Sequence, residues 1–318
     1  MIERGRKARA YLATALLVLV HYPAMKTFKL LLVVGLILVS GSIVNAQQRG
    51  EQPQAGPPPK LTKILDDTYL IENQGLTVAD IGAYGGNITV VLTNEGVLLV
   101  DSKNERIHDD VLAKIKSLTN QPVKYVVLTH NHADHAAAAP MFAAEGAQVI
   151  ISTADRENMA RAPNPTWLPQ MTYTGKATLF LGGKEAQLME YRGHTRGDTA
   201  VLFPQARLLV MGDLLTTADT IPAIVNYGDG GNWSDWTRSV DDLLKMDWDI
   251  AIPGHGPMVT KQQVRTIRAK MVAIQNRVRS MNRERKTQDE ITKQLVMEFG
   301  WGTGPAAGNI PGMIQELR

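Results

Sequence analysis

Three histidines and a carboxylate fall within six positions of this 318-residue chain, in His130-Asn131-His132-Ala133-Asp134-His135, although the whole sequence holds only seven histidines. Imidazole nitrogen and carboxylate oxygen are the donors that suit zinc and similar divalent ions, so the cluster points to a metal site. Its setting is equally defined. Val123 to Leu128 just upstream has the β-branched and aromatic content of a buried strand, and the alanine-rich run Ala136 to Ala144 just downstream favours a helix. The motif is therefore expected on a strand-to-helix loop. If the extended geometry continued through it, His130 and His132 would point to one side, with Asp134 and His135 facing a neighbouring position.

Short apolar runs at Tyr69–Ile71, Ile88–Leu92 and Val97–Val100, separated by Gly85-Gly86-Asn87 and Asn94-Glu95-Gly96, predict an antiparallel opening sheet. A helix over Ile107–Leu118 follows, and strands and helices then intermix as far as a strand at Trp248–Ile252. This pattern predicts an α/β protein with helix-covered sheets. In three later segments a strand ends and a donor appears within a few residues: Gly193-His194-Thr195, Gly212-Asp213 and Gly254-His255-Gly256. Donors at the carboxyl ends of strands can converge on one cleft from loops far apart in sequence.

The motif His130-x-His132-x-Asp134-His135, followed in order by Gly193-His194-Thr195, Gly212-Asp213 and Gly254-His255-Gly256, resembles the metallo-β-lactamase superfamily over Leu61 to Val259. The resemblance implies an αββα sandwich with a dinuclear site between its sheets. It assigns His130, His132 and His194 to a first metal and Asp134, His135 and His255 to a second, with Asp213 bridging and Asp101 orienting a ligand histidine. It also implies hydrolysis of an amide, ester, lactone or thioester, possibly a β-lactam, with two divalent ions as cofactors and Asp134 handling a proton. Zinc is the expected metal, with iron and manganese left open. The best-known β-lactamase subclass carries a cysteine where this chain has Asp213, and the chain has no cysteine at all. That subclass is excluded. An iron-dependent oxidoreductase on the same scaffold and a non-catalytic metal-binding protein are the alternatives.

The first 46 residues have the form of a secretory signal: Lys26 and Lys29, the apolar Val33–Val39, then small residues up to Ala46, with Met25 a possible true start. An exported protein, periplasmic or secreted, is expected, with membrane anchorage only if the segment stays uncleaved. Residues 1–46 hold six of the 34 basic residues and one of the 31 acids, leaving 28 basic and 30 acidic. That balance gives no support to a nucleic-acid partner and leaves a small-molecule substrate. Gln47 to Lys60 is expected to be a flexible linker.

Substrate contacts are less legible. Leu214–Asn232 is expected to wall the cleft, Tyr84–Asn87 to form a flap, and Arg196 and Lys184 are candidates only by sequence proximity; His108 is expected to face solvent. After Val259 come two helices with capping boxes at Thr260 and Thr287. The first carries an apolar seam, Val264, Ile267, Met271, Ile274, Val278 and Met281, suited either to packing on its own domain or to homodimer pairing through residues 260–285. The tail after Phe299, rich in glycine, is expected to be loosely structured.

Overall fold

A computed structural model describes residues 54–217 and 225–318. The expected signal segment and the first half of the linker lie outside the described residues. Among those residues no helix is long and apolar enough to cross a membrane.

Strands β1 (Lys60–Leu65), β2 (Thr68–Glu72), β3 (Ile88–Thr93) and β4 (Gly96–Val100) form the antiparallel meander expected from their turn signals. Strands β5 (Val123–Val127), β6 (Gln148–Ser152) and β7 (Met171–Tyr173) extend it in parallel to seven strands. A second sheet contains β8 (Lys176–Leu181), β9 (Lys184–Tyr191), β10 (Asp198–Phe203), β11 (Leu208–Thr216), β12 (Ile250–His255) and β13 (Val259–Thr260), in the order β13-β12-β11-β10-β9-β8.

Period-two alternation stacks the sheets. Leu70, Leu98, Val100, Val127 and Ile150 of the first sheet meet Leu188, Val201, Val210 and Ile252 of the second in one buried cluster. Their neighbours Ile71, Leu99, Val126 and Ile151 face the other way, onto Val111 and Ile115 of helix α2 (His108–Lys116) and Phe142 of α4 (Ala139–Ala144). Each such side chain stabilises the fold by about 1.5–3 kcal/mol on burial, so a one-residue slip that exchanged the faces would be strongly disfavoured. The outer face of the second sheet is covered by α6 (Trp233–Lys245), α7 (Lys261–Arg283), α8 (Gln288–Phe299) and α9 (Ile310–Glu316). The order of layers is αββα. The remaining short helices are α1 (Val78–Tyr84), α3 (Ala133–Ala136) and α5 (Thr153–Ala160).

Several expectations change. The capping boxes at Thr260 and Thr287 form as read. The α7 seam closes on this chain's own core, with Val264, Met271, Ile274, Val278 and Met281 buried and Ile267 packed beside them, so it offers no exposed stripe for pairing. The tail is not loose. A 3-10 turn at Gly304–Asn309 and α9 bury Trp301, Ala306, Ile310, Met313, Ile314 and Leu317, and Trp301 meets Trp233 edge-on at 5.9 Å. The signal lay in the three-four spacing of Ile310, Met313, Ile314 and Leu317, hidden among glycines.

His108 is buried rather than solvent-facing, because it shares the core face of α2 with Val111 and Ile115 and sets its ring against Phe142 at 4.5 Å. The linker's second half is docked, since Gly56 donates to Asp80 at 2.7 Å and its carbonyl accepts from the Tyr84 hydroxyl at 2.7 Å.

Candidate metal centre

The histidine motif leaves β5 as expected, but the chain turns helical sooner than an extended loop would. His132 occupies the N-cap of α3, so Asp134 and His135 ride on a single helical turn. Asp213 lies inside β11, which runs on to Thr216 through register irregularities against β12, and His255 closes β12. The glycine beside each has a steric reason. A Cβ at Gly254 would lie 1.9 Å from Asp213 Oδ1, and one at Gly212, where φ is +51°, would strike Thr129.

These loops bring all seven candidate donors together. The rings of His130, His132 and His194 stand mutually edge-on at 4.6–4.9 Å, with His194 Nε2 2.9 Å from His132 Nδ1. On the other side His135 Nε2 and His255 Nε2 are 3.2 Å apart, with Asp134 Oδ2 3.1 Å from His255 Nε2 and 3.6 Å from His135 Nε2. Asp213 stands between. Its Oδ1 is 3.3 Å from His135 Nε2 and 3.5 Å from His255 Nε2, while Oδ2 is 3.6 Å from His194 Nε2. In each of the trios His130/His132/His194, His130/His135/Asp213 and Asp134/His135/His255, one donor atom per residue lies within 4.8 Å of the others.

The donor set fits divalent cations. Neutral imidazole nitrogens facing each other at 2.9 and 3.2 Å repel unless a proton or a cation lies between them. His130 Nε2 and Asp213 Oδ1 are buried without a hydrogen-bond partner, which is costly unless an ion satisfies them. The electrostatics agree. Burial opposes ionisation of Asp134 and Asp213, yet the surrounding imidazoles hold both carboxyls well below the ordinary range. Burial also pushes the His135 imidazolium down, but Asp134, Asp213 and Asp101 prevail and hold it well above its usual value. For His130, burial and the neighbouring imidazoles act together and keep the ring neutral.

Outer contacts fix which nitrogen each ring presents. Asp101 accepts the Thr129 N–H at 2.7 Å, the Thr129 hydroxyl at 2.8 Å and His135 Nδ1–H at 2.8 Å, leaving His135 Nε2 for the site. This is the orienting position expected of Asp101. Thr129 passes the arrangement on, because its oxygen accepts from His130 Nδ1 at 3.1 Å. His132 is turned the other way: its Nε2 lies between Asp229 Oδ2 at 3.0 Å and the Asn226 amide nitrogen at 2.8 Å, which aims Nδ1 inward. Asn131 and Asn226 also donate to Asp229, at 3.2 and 3.1 Å. Asp229 went unassigned in the sequence, where it sits among glycines as an ordinary turn residue.

The presumed flap is a brace. Gly86 N–H donates to the Asp134 carbonyl at 2.8 Å, and Asn87 donates to the carbonyls of Gly254, Pro253 and Gly256 at 2.8–3.0 Å. A Cβ on Gly86 would lie 2.2 Å from His135 Cε1. The centre opens on a cleft of about 550 Å³ that is also lined by Val78 and Ile81 of α1, by Val225–Tyr227 and by Gly308 and Asn309. Val225–Tyr227 meet the expectation that this stretch walls the cleft; residues 218–224 within it lie outside the described residues. Arg196 and Lys184 do not line the cleft: Arg196 holds Asn158 and Glu157, and Lys184 pairs with Asp67.

The sequence model of the metallo-β-lactamase superfamily matches residues 81–255. The chain belongs to this superfamily. One relative is the 2,4-dinitroanisole O-demethylase subunit alpha of Nocardioides sp. (strain JS1661), 32% identical over 139 residues, a match covering 42% of this chain and 41% of that protein. The chain thus spans under half the length of that relative. The type 2 metallo-β-lactamase of Elizabethkingia meningoseptica is 24% identical over 194 residues, covering 60% of this chain and 76% of that one. Among solved structures, a metallo-β-lactamase from Pontibacter korlensis superposes with a TM-score of 0.60 at 22% identity, covering 67% of this chain and 98% of its own, a likeness of fold. At superfamily level these relatives support metal-dependent hydrolase chemistry, and the His/Asp cluster is of the kind that holds divalent metal.

Proposed function

We propose that this chain is an exported hydrolase that holds two zinc ions and cleaves a carbonyl-centred bond, an ester, lactone, amide or thioester, in a small molecule. The supporting observation is the pair of donor sets that meet at Asp213: imidazole nitrogens face each other at 2.9 Å in one and 3.2 Å in the other, and His130 Nε2 and Asp213 Oδ1 are buried with no hydrogen-bond partner. His130, His132 and His194 would hold one ion and Asp134, His135 and His255 the other, with one oxygen of Asp213 facing each set. An all-nitrogen-and-oxygen donor set without cysteine suits zinc. Such ions, when bound, lower the pKa of a shared water toward neutrality and polarise a carbonyl.

The chain's own groups do the rest. Asp134 stays ionised and its side chain is 27% exposed, which places a proton acceptor at the cleft floor. Asp101 keeps His135 in the tautomer that presents Nε2 to the site, and Asp229 turns His132 so that Nδ1 faces it. Export is supported by the apolar segment and small-residue boundary at Ala46.

Metal content per purified chain, measured together with hydrolysis of chromogenic esters, lactones and a β-lactam before and after chelation, tests the reading. Two zinc ions and chelator-sensitive turnover are expected. One iron with oxygen consumption would move the chain to the oxidoreductase alternative, and bound metal with no turnover would leave a metal-binding protein.

A further inference from the structure

The cleft has a wall that lies outside the 81–255 family match. Gly308 and Asn309, from the C-terminal segment, line the same opening as His132, Asp134, His194 and His255. Asn309 occupies the N-cap position of α9 yet makes no capping hydrogen bond. Its Oδ1 instead accepts the Val225 N–H at 2.6 Å, which fixes the amide so that Nδ2 is the free end. Nδ2 finds no acceptor among the described residues, although Asn309 is only 8% exposed. A donor held this way is preorganised for a ligand.

The segment carrying it is clamped. Gly312 lies so close to the Tyr227 ring that a Cβ would come within 2.3 Å of it, and the Tyr227 hydroxyl donates to Glu316 at 3.0 Å. Glu316 also accepts from the backbone of Trp233 and Ser234 and from the Ser234 hydroxyl at 2.8–2.9 Å.

Among the described residues the same cleft has no cationic side chain in its lining: Val78, Ile81, Val225 and Tyr227 supply apolar surface, and no Lys or Arg joins them. Residues 218–224, next to this wall in sequence, contain no basic residue. Lys103, the buried lysine beside the centre, is sealed at 0% exposure with its Nζ on Asn73 at 2.7 Å, and burial lowers it to about 7. A substrate carboxylate entering the apolar part of the cleft would lose its hydration with no cationic side chain to replace it.

We propose that the segment Gly304–Glu316 completes the substrate site, that Asn309 donates from Nδ2 to an uncharged oxygen of the substrate, and that the cleft selects neutral esters and lactones over carboxylate-bearing substrates. This inference rests on the hydrolase reading and adds the substrate class to it.

The test uses the full chain loaded with zinc, with 4-nitrophenyl butyrate and dihydrocoumarin as neutral probes and nitrocefin as the carboxylate-bearing one. Asn309→Asp is the decisive variant, because a carboxylate still accepts the Val225 N–H but has no hydrogen to donate. The wild type is expected to prefer the neutral probes, and Asn309→Asp to raise their KM by about tenfold with kcat largely kept. A partly misfolded variant would lower kcat through a smaller active fraction and leave KM alone, so the split between the two constants carries the answer even if the melting temperature falls. An unchanged KM in Asn309→Asp overturns the donor assignment alone, and preferred turnover of nitrocefin overturns the substrate class. A zinc-loaded wild type that hydrolyses none of the three overturns the hydrolase reading, and this proposal with it.

Discussion

Replacing Asp101 by Asn changes one heavy atom and reverses the instruction given to a metal-facing histidine. In the native protein Oδ2 takes both the Thr129 hydroxyl at 2.8 Å and His135 Nδ1–H at 2.8 Å, while Oδ1 takes the Thr129 N–H at 2.7 Å. The amide of Asn can keep the last of these through its oxygen. Its NH2 group then meets His135 Nδ1 with hydrogens, so the ring must accept there and carry its own proton on Nε2, the nitrogen that faces His255 and Asp213. Removing such an outer partner lowers metal affinity by about 10–100-fold. At about 1.4 kcal/mol per factor of ten, that is about 1.4–2.8 kcal/mol. Competition with a chromophoric chelator measures it directly, and a circular-dichroism melt of the metal-free variant shows whether the fold is intact. A folded Asp101→Asn protein with zinc affinity within twofold of the wild type would refute the claim that Asp101 sets the His135 tautomer.

Further outcomes follow from the same geometry. Because the carboxylates around His135 hold its proton well above the ordinary imidazole range, zinc must displace that proton, and apparent affinity should climb by up to about tenfold per pH unit until the pH passes that raised value, then level off; calorimetry in buffers of different ionisation enthalpy counts the proton released. In the metal-free protein the same raised pKa contributes stability that is fully present below about pH 6.5 and lost as pH rises through the folded value, so metal-free melting temperatures should fall on the alkaline side while metal-loaded ones do not. Trp301→Ala, which empties a 2%-exposed site against Trp233, should cost about 3–5 kcal/mol in urea unfolding; a loss under about 1 kcal/mol would show that the C-terminal segment is not part of the core.

Much of the centre was legible in the chain because its chemistry is local. Four of the seven donors sit within six residues, so residue type and spacing mark the first motif, while the others follow glycines near predicted strand ends and joined the set through the superfamily resemblance. Strands were legible for a similar reason, since alternation of apolar side chains is a property of neighbouring residues. Capping boxes at Thr260 and Thr287 are four-residue devices and formed as read.

What the sequence did not determine depends on which distant surfaces meet. Asp229 holds His132 from 97 residues away, Asn309 reaches Val225 across 84, and Asn87 braces the His255 turn across more than 160. No local pattern marks these polar residues, because a side-chain hydrogen bond needs one donor and one acceptor brought together by packing elsewhere. The tail shows the same dependence: its glycines argued for looseness, and only the apolar face left open by α6, α7 and α8 made burial of Trp301, Ile310 and Met313 more favourable than a free chain. The sequence by itself thus marked the cluster of metal-binding residue types and the α/β class, because both are local patterns, while the tertiary structure decided how those side chains are oriented and which distant residues line the cleft, because that depends on packing.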